Sequence, residues 1–334
     1  MSKNNSVKGS DSMFNVFVTR KLPGSALDQL RESCNVTVHP EDRNITKAEL
    51  LERVVGQDAL ISMLSDPVDA QVITAGKQLK VIANYAVGFN NIDVKAASQR
   101  KIPVCNTPDV LTNASADFAW ALLMSTARRV IEGDTMTRNG QFTGWAPELL
   151  LGVEVYGKTL GIIGAGRIGQ AVAKRALGFD MKVLYHNRSR LPHSVEEAYN
   201  MKYVDLTTLL GQADFVSLHC PLTPETKYLI GPKELASMKP TAILINTARG
   251  PVVDEAALVT ALKERIIYGA GLDVFEDEPA LKPGLAELPN VVLAPHIASA
   301  AVETRVKMVE MVVRDVQAAL EGQKPVNLVN PEIY

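Results

Sequence analysis

A glycine-rich turn between an apolar run and a helix-like segment constrains the fold of this chain more than any other feature. Glycine stands at positions 164, 166 and 169, which gives the pattern G-x-G-x-x-G. Residues 160–163 before the turn are apolar and partly β-branched, as in a buried parallel strand, and residues 170–177 after it predict a helix. A strand, a glycine turn and a helix in this order are typical of a doubly wound α/β sheet.

Each glycine of this turn meets a separate physical need. Gly164 allows a tight turn, Gly166 lets the backbone approach a pyrophosphate, and Gly169 permits close packing of the helix on the strand. Phosphates are favoured at a helix N-terminus, where N–H groups are free and the helix dipole is positive. The turn therefore predicts a dinucleotide site. The site also includes the residues between the glycines, which are Ala165, Arg167 and Ile168.

The next strand-like segment, residues 182–186, ends in Asn187, Arg188, Ser189 and Arg190. An acidic residue roughly 20 residues after the first glycine would bind the adenosine ribose of NAD. No acid stands at this strand end. Because guanidinium groups bind phosphate through charge-assisted, bidentate hydrogen bonds, the segment predicts NADP(H) as the preferred cofactor, with NAD(H) possible. The alternative is that the arginines are simply solvated on a surface loop.

Composition narrows the class of protein. The chain has 334 residues, a formal net charge of −2 and 46% hydrophobic residues, which suits two domains of roughly 150 residues each. The near-neutral charge gives no reason to expect nucleic acid or a membrane surface as a partner, and no apolar run reaches the roughly 20 residues of a membrane span. The cysteines, Cys34, Cys105 and Cys220, lie outside any metal-ligand spacing. We therefore expect no metal site and a cytoplasmic location.

Strand-like and helix-like segments alternate on both sides of the glycine turn, after a polar stretch at 1–13 that predicts a disordered tail. Strands are predicted before the turn at 15–19, 35–39, 59–63 and 79–83. Strands are predicted after it at 215–218, 242–245, 269–272 and 291–293. The pattern predicts an α/β fold with two Rossmann-like doubly wound parallel-sheet domains and the active site in the cleft between them. Residues 114–132 predict one long apolar helix, buried in a core or at a subunit interface.

Ligands of open parallel sheets bind beyond the carboxyl ends of the strands, and several polar residues stand at those positions. They are His219, Thr247, Arg249, Asp273, Glu278 and His296. We expect His219, which precedes Cys220 and Pro221, to be structural.

Three of these residues form a chemical set for the reduction of a 2-oxo acid. His296 is the natural proton donor, since the ordinary pKa of an imidazole, about 6.5, lies near working pH. Glu278 would orient His296 and favour its charged form, and Arg249 would grip the substrate carboxylate with two parallel hydrogen bonds. Each residue also has a structural interpretation when it is taken alone. His296 could be a loop histidine, Arg249 a helix cap and Glu278 a member of an acidic loop.

Several longer segments together resemble the D-specific 2-hydroxyacid dehydrogenases. They are N-T-A-R-G at 246–250, G-L-D-V-F-E-D-E-P at 271–279 and A-P-H-I at 294–297. The segments A-N-Y-A-V-G-F at 83–89 and V-Y-G-K-T at 155–159 are most similar to those of the glyoxylate and hydroxypyruvate reductases of that family. The resemblance spans nearly the whole chain beyond the N-terminal tail. It implies that Arg249, Glu278 and His296 are the catalytic residues.

The resemblance also implies further contacts. The backbone of Val87 and Gly88 would hold the substrate carboxylate, and Asp273 would meet the nicotinamide amide. Other cofactor contacts would be Thr112, Pro221, Thr247 and Ala248. Other substrate contacts would be Ser299 and Trp145, the latter either reaching the neighbouring subunit's cleft or anchoring the interface.

At the level of domains, the resemblance implies that residues 300–334 join residues 14–105 in a flavodoxin-like substrate domain, with 106–299 as the dinucleotide domain. It implies hinges near Asn106 and Pro295, and a homodimer formed through the dinucleotide domain. The activity implied is an NADPH-preferring reduction of glyoxylate or hydroxypyruvate to the D-configured product. Two alternatives stay open: a D-lactate, phosphoglycerate or phosphite dehydrogenase, and a dinucleotide-sensing binding protein similar to the corepressors that share this fold.

Overall fold

The structure is a computed structural model that describes residues 13–334. These residues form two compact units, of which one contains the described residues up to Leu111 together with Ala301–Tyr334 and the other is Thr112–Ala300. The predicted tail lies outside the described residues except for Met13, which is exposed. None of the helices between residues 13 and 334 has the length and apolar character needed to span a lipid bilayer.

The first part of the first unit ends at Leu111, whereas the family resemblance implies a boundary at residue 105. The reason is that the next residues are bonded to this unit's backbone. The Asn106 N–H donates to the Asn327 carbonyl at 3.2 Å, and the Thr107 N–H donates to the Ala86 carbonyl at 2.9 Å.

The first unit contains a five-stranded parallel sheet in the order β2-β1-β3-β4-β5. Its strands are β1 (Phe14–Val18), β2 (Cys34–Val38), β3 (Ala59–Ser62), β4 (Val81–Asn84) and β5 (Val104–Cys105). Its helices are α1 (Ala26–Arg31), α2 (Lys47–Arg53), α3 (Ala70–Ala75), α4 (Val94–Gln99) and α12 (Val302–Leu320). Aspartate or threonine caps begin α2, α3 and α4. The last helix, α12, packs a stripe of buried valines against α1 and β4.

The second unit contains a seven-stranded parallel sheet in the order β12-β11-β10-β9-β6-β7-β8. Its strands are β6 (Thr159–Ile163), β7 (Lys182–His186), β8 (Met201–Tyr203), β9 (Phe215–Leu218), β10 (Ile243–Asn246), β11 (Gly269–Leu272) and β12 (Val291–Leu293). Its helices are α5 (Thr112–Ala127), α6 (Val130–Arg138), α7 (Arg167–Ala176), α8 (His193–Ala198), α9 (Leu206–Gln212), α10 (Pro232–Ser237) and α11 (Glu255–Lys263). The prediction of two doubly wound α/β domains with parallel sheets is confirmed.

The prediction of one helix over 114–132 is wrong, because the chain turns after Ala127. The carbonyl of Ala127 accepts the N–H of Val153 at 2.8 Å, an acceptor that a continuing helix would need for itself. Arg129 then adopts a left-handed backbone, with φ at +53°, and α6 begins at the next residue. The α5 part is buried against β10 and β11, so its apolar residues belong to the core of this unit.

The register of the second sheet aligns the carboxyl ends of its strands. Ile163 pairs with Leu218, Leu218 with Asn246, Asn246 with Leu272, and Leu272 with Leu293. The loops that leave these five strands therefore start along one edge. Those loops carry the glycine turn, His219, Thr247 with Arg249, Asp273 and His296.

Candidate active site

The glycine turn leaves β6 and opens α7, with each glycine under a different restraint. Gly164 has φ at +94°, and a side-chain carbon there would lie 2.4 Å from the Cys220 nitrogen. A side-chain carbon on Gly169 would lie 2.4 Å from the Gly164 carbonyl oxygen. Gly166 is the N-cap of α7 and faces open space, because beyond its own chain neighbours no described atom lies within 4 Å of the position that a side-chain carbon would take. The turn is thus held tight at both ends and is open where a pyrophosphate would meet free N–H groups, so these residues fit a dinucleotide.

Asn187 holds this turn from the end of β7. Its Oδ1 accepts the N–H of Ala165 at 2.7 Å. The sequence predicted Asn187 as a cofactor contact, and in the structure its side chain fixes the backbone that the cofactor would approach.

The two arginines after Asn187 lie in different surroundings. Arg190 forms two hydrogen bonds to Glu196 on α8, at 2.8 and 2.7 Å, and Tyr185 donates to the same carboxylate at 2.6 Å. The hydrogen bonds from Arg190, which have the largest effect, and the bond from Tyr185 lower the pKa of Glu196 to about 2. Arg188 is exposed and forms no hydrogen bond or ion pair with a described residue, although its charge interacts with that of Glu225. Sequence reasoning missed Glu196, an acid that approaches the basic segment from a neighbouring helix and not from the strand end.

His296 and Glu278 form the closest pair in the predicted catalytic set. Nδ1 of His296 lies 2.9 Å from Oε2 of Glu278. Their side chains are 24% and 32% exposed, so the pair is reachable from solvent. Because Nδ1 is engaged, Nε2 is the ring nitrogen that remains for a substrate.

Glu278 is charged in this arrangement. Its other oxygen, Oε1, accepts the N–H of Phe275 at 3.0 Å. Burial raises the pKa of Glu278, but the hydrogen bond and charge of His296, with smaller contributions from Phe275 and Arg249, outweigh it, so that its pKa lies below the usual range. A carboxylate bonded to Nδ1 also fixes the orientation of the His296 ring.

Arg249 follows β10 and lies close enough to Glu278 for their charges to interact. Its carbonyl accepts from Asn246 Nδ2 at 3.0 Å, and its Nη1 donates to the Ala248 carbonyl at 2.7 Å. Burial lowers the pKa of Arg249, but a guanidinium stays protonated in proteins.

Gly250 is a site residue that sequence reasoning missed. A side-chain carbon there would lie 1.9 Å from the carbonyl of Phe275, so only glycine lets the Arg249 segment meet the loop that carries Glu278. The sequence feature that could have indicated this role is a glycine directly after a candidate catalytic arginine.

Asp273, at the end of β11, is fully buried. Its Oδ1 accepts the N–H of Ile297 at 2.7 Å, and its Oδ2 accepts that of Ala298 at 2.8 Å. Burial, the largest influence, raises the pKa of this carboxyl. Asp273 therefore holds the turn that follows His296, a role that sequence reasoning missed; its predicted contact with the nicotinamide stays a prediction.

Two further polar residues stand at this edge of the sheet. The Thr247 hydroxyl is buried and has no hydrogen-bond partner among the described residues, which suits a residue that meets a ligand group. His219 lies within hydrogen-bond distance of Ser217, with Nε2 and Oγ 2.8 Å apart, and burial lowers its pKa to about 4. His219 is thus a neutral histidine bonded to its own strand.

The remaining predicted site residues lie at separate places. Thr112 begins α5, Pro221 is exposed after His219, Ala248 is buried beside Arg249, and Ser299 is half-buried after Ala298. Trp145 is 85% exposed, in the segment between α6 and β6. Val87 and Gly88 are half-buried after β4, in the first unit.

Comparisons with known proteins place the chain in a family. Residues 120–298 match the model for the D-isomer specific 2-hydroxyacid dehydrogenase, NAD binding domain. The chain is 53% identical over 322 residues to a glyoxylate reductase of Thermococcus gammatolerans, covering 95% of this chain and 96% of that one.

Solved structures agree. A protein of Thermus thermophilus has a TM-score of 0.89 and 49% identity, covering 95% of this chain and 100% of that one. An NADPH-dependent glyoxylate/hydroxypyruvate reductase of Sinorhizobium meliloti, solved with NADP and malonate, has a TM-score of 0.84 and 33% identity, covering 95% and 97%. The chain therefore belongs to the D-isomer-specific 2-hydroxyacid dehydrogenases and is an NAD(P)-dependent enzyme of that family.

Proposed function

We propose that the protein is an NADPH-preferring reductase of glyoxylate and hydroxypyruvate that gives the D configuration where a stereocentre forms. The observation that carries the proposal is the His296–Glu278 pair, with its Nδ1–Oε2 distance of 2.9 Å, on the same sheet edge as Arg249 and the glycine turn. The glyoxylate reductases among its relatives support the choice of substrate.

The catalytic residues divide the work of reducing a 2-oxo acid between them. When bound, the nicotinamide supplies a hydride to the carbonyl carbon. His296 donates its Nε2 proton to the carbonyl oxygen, and Glu278 holds the imidazole in place through Nδ1. Arg249 binds the substrate carboxylate and polarises the adjacent carbonyl. From the first unit, the N–H groups of Val87 and Gly88 are the proposed further donors to that carboxylate.

The preference for NADPH rests on the basic segment after β7. Arg188 is exposed and within residues 13–334 makes no ion pair, so its guanidinium is available to a 2′-phosphate. Ser189, also exposed, can add a hydroxyl donor. Because Arg190 is already paired with Glu196, we propose that it contributes less than Arg188 to binding the 2′-phosphate.

The proposed assembly is a homodimer formed through the second unit. The segment that contains α6 and the following loop exposes several large apolar side chains. They are Val130, Ile131, Phe142, Trp145 and Leu151. A groove of about 700 Å³ lies beside them, lined by residues of α5, α6 and the chain before β12. A second copy of the chain would cover this surface.

The first test is a turnover assay that follows the absorbance of the reduced nicotinamide. Glyoxylate, hydroxypyruvate and pyruvate are each offered with NADPH and with NADH. We expect the highest kcat/KM for one of the first two with NADPH. The highest value for pyruvate would indicate a lactate-type enzyme, and no turnover of any 2-oxo acid would favour a dinucleotide-sensing binding protein.

The variant His296→Gln tests the proton donor in the same assay. Because a positioned general acid typically contributes 10²–10⁴-fold, we expect kcat to fall by about that factor while NADPH binding persists. His193→Gln is the matched control, since His193 is an exposed histidine of the same unit on α8. Wild-type kcat in His296→Gln would refute its assignment.

A further inference from the structure

The loop that follows β4 has three successive carbonyl groups that accept hydrogen bonds from the first unit. The Ala86 carbonyl accepts the N–H of Thr107 at 2.9 Å. The Val87 carbonyl accepts from Asn106 Nδ2 at 2.7 Å, and the Gly88 carbonyl accepts from Asn84 Nδ2 at 2.8 Å. The orientation of three neighbouring peptide groups is thereby fixed.

Fixing a carbonyl also fixes the N–H group of the next residue. A trans peptide is planar, and its C=O and N–H point in opposite directions. The N–H groups of Val87, Gly88 and Phe89 must therefore point away from the donors that hold the preceding carbonyls. Within residues 13–334 none of these three N–H groups has a hydrogen-bond acceptor. Val87 and Gly88 are half-buried and Phe89 is exposed, so a ligand can reach the loop.

The two asparagines hold this loop with different degrees of support. Asn84 is fully buried, its Oδ1 accepts from Ser62 at 3.0 Å, and its Nδ2 also donates to Asn91 Oδ1 at 3.1 Å. Its amide group is therefore fixed by a network that joins β3, β4 and the loop at Asn91. Asn106 is half-buried, and the described contact of its side-chain amide is the bond to Val87.

We propose that Asn106 and Asn84 are positioning residues that orient the N–H groups of Gly88 and Phe89 toward the carboxylate of a substrate. A set of successive N–H groups without acceptors favours an anion. The inference rests on the proposed function for the identity of the ligand as a 2-oxo acid. It adds Phe89 N–H to the donors and gives the two asparagines a role in substrate affinity without direct contact.

Asn106 is the better residue to change, because truncating Asn84 would leave several buried groups without partners. Asn106→Ala removes the donor to the Val87 carbonyl, and Asn106→Asp replaces that donor with an oxygen of the same size. Asn330→Ala is the matched control. Asn330 is fully buried in the same unit, donates to the Ile102 carbonyl at 2.9 Å and accepts the Val104 N–H at 2.8 Å, and it has no described bond to residues 85–89.

The first measurement is steady-state kinetics on the full chain. A carboxylate contact acts in both the ground state and the transition state, so its loss raises KM and leaves kcat nearly unchanged. We expect both Asn106 variants to raise the KM for glyoxylate about tenfold, with little change in the KM for NADPH. Asn330→Ala should lower Tm without this change. An unchanged KM for glyoxylate in the Asn106 variants, or an equal rise in Asn330→Ala, would overturn the proposal.

The second measurement does not depend on turnover. Oxalate carries carboxylates but no reducible ketone, and it is titrated into ¹⁵N-labelled protein in the presence of NADP⁺. We expect the amide signals of Val87, Gly88 and Phe89 to shift, with a Kd about tenfold weaker in Asn106→Ala. If the wild type reduces no 2-oxo acid but these signals respond and the Kd is weaker in Asn106→Ala, the proposed function fails and the positioning role stands. If oxalate moves none of them in the wild type, the positioning role is wrong.

Discussion

At the scale of single residues, the candidate site depends on side chains that hold backbone as much as on those that would touch a ligand. His296 occupies the left-handed region, with φ at +56°. That region costs a non-glycine residue on the order of 1 kcal/mol, so surrounding contacts must fix it. The two hydrogen bonds from Ile297 and Ala298 to the buried Asp273 carboxylate are such contacts. Asp273 thus supports the position of the proposed proton donor.

Asp273→Asn tests this role. The substitution keeps the size of the side chain but sets an NH₂ group against one of the two backbone N–H groups. We expect kcat to fall about tenfold or more, because an unsatisfied buried donor disturbs the turn after His296, while the Kd for NADPH measured by fluorescence stays within about threefold.

Asp254→Asn is the matched control for that experiment. Asp254 also accepts a backbone N–H, that of Ala257, but as the N-cap of α11, where aspartate and asparagine are equivalent. If Asp273→Asn instead weakens NADPH binding as much as it lowers kcat, the residue acts through the nicotinamide, as the family resemblance implies.

At the scale of elements, local patterns could be predicted and long-range partners could not. The β6 strand, the glycine turn and α7 follow from apolar periodicity and from the glycine spacing, both of which lie within one short segment. At the end of α5 the Ala127 carbonyl accepts from Val153, which is remote in sequence. The residues around Ala127 therefore do not by themselves indicate that the helix ends there. Glu196 is only six residues after Arg190, but its carboxylate reaches the arginine because the chain turns back before α8 and the hydroxyl of Tyr185 on β7 holds the same carboxylate.

The Arg190–Glu196 pair leads to a prediction about cofactor choice. We expect Arg188→Ala to raise the KM for NADPH by about ten- to a hundredfold, since a charge-assisted bond to phosphate is lost, and to leave the KM for NADH nearly unchanged. The measurement is the ratio of kcat/KM for the two cofactors.

Arg190→Ala provides the comparison. The Arg190 side chain is 65% exposed and that of Glu196 is 5% exposed, so we expect loss of the pair to lower Tm only slightly. The cofactor ratio should move less than in Arg188→Ala. An equal or larger change in the ratio would show that Arg190 leaves Glu196 to bind the phosphate.

At the scale of the whole molecule, the apolar surface of the second unit is the feature that a single chain leaves unexplained. No residue of α6 is buried, and Trp145 is 85% exposed. Monomeric proteins seldom expose large contiguous apolar patches. The candidate catalytic residues of this unit are held by contacts within one chain, so their arrangement does not require assembly.

Sedimentation of the full chain tests the assembly. We expect twice the mass of the 36.2 kDa chain at micromolar concentration, and we expect Ile131→Lys to give the monomer, because it puts a charge on α6 beside the groove. Val302→Lys is the control, since Val302 is 77% exposed in the first unit. Trp145→Ala should change the KM for hydroxypyruvate if the indole reaches the partner's site, and dimer stability alone if it only anchors the interface. A wild type that sediments at the mass of one chain would contradict the dimer, and the proposed reaction at His296 and Glu278 would then be carried out by a monomer.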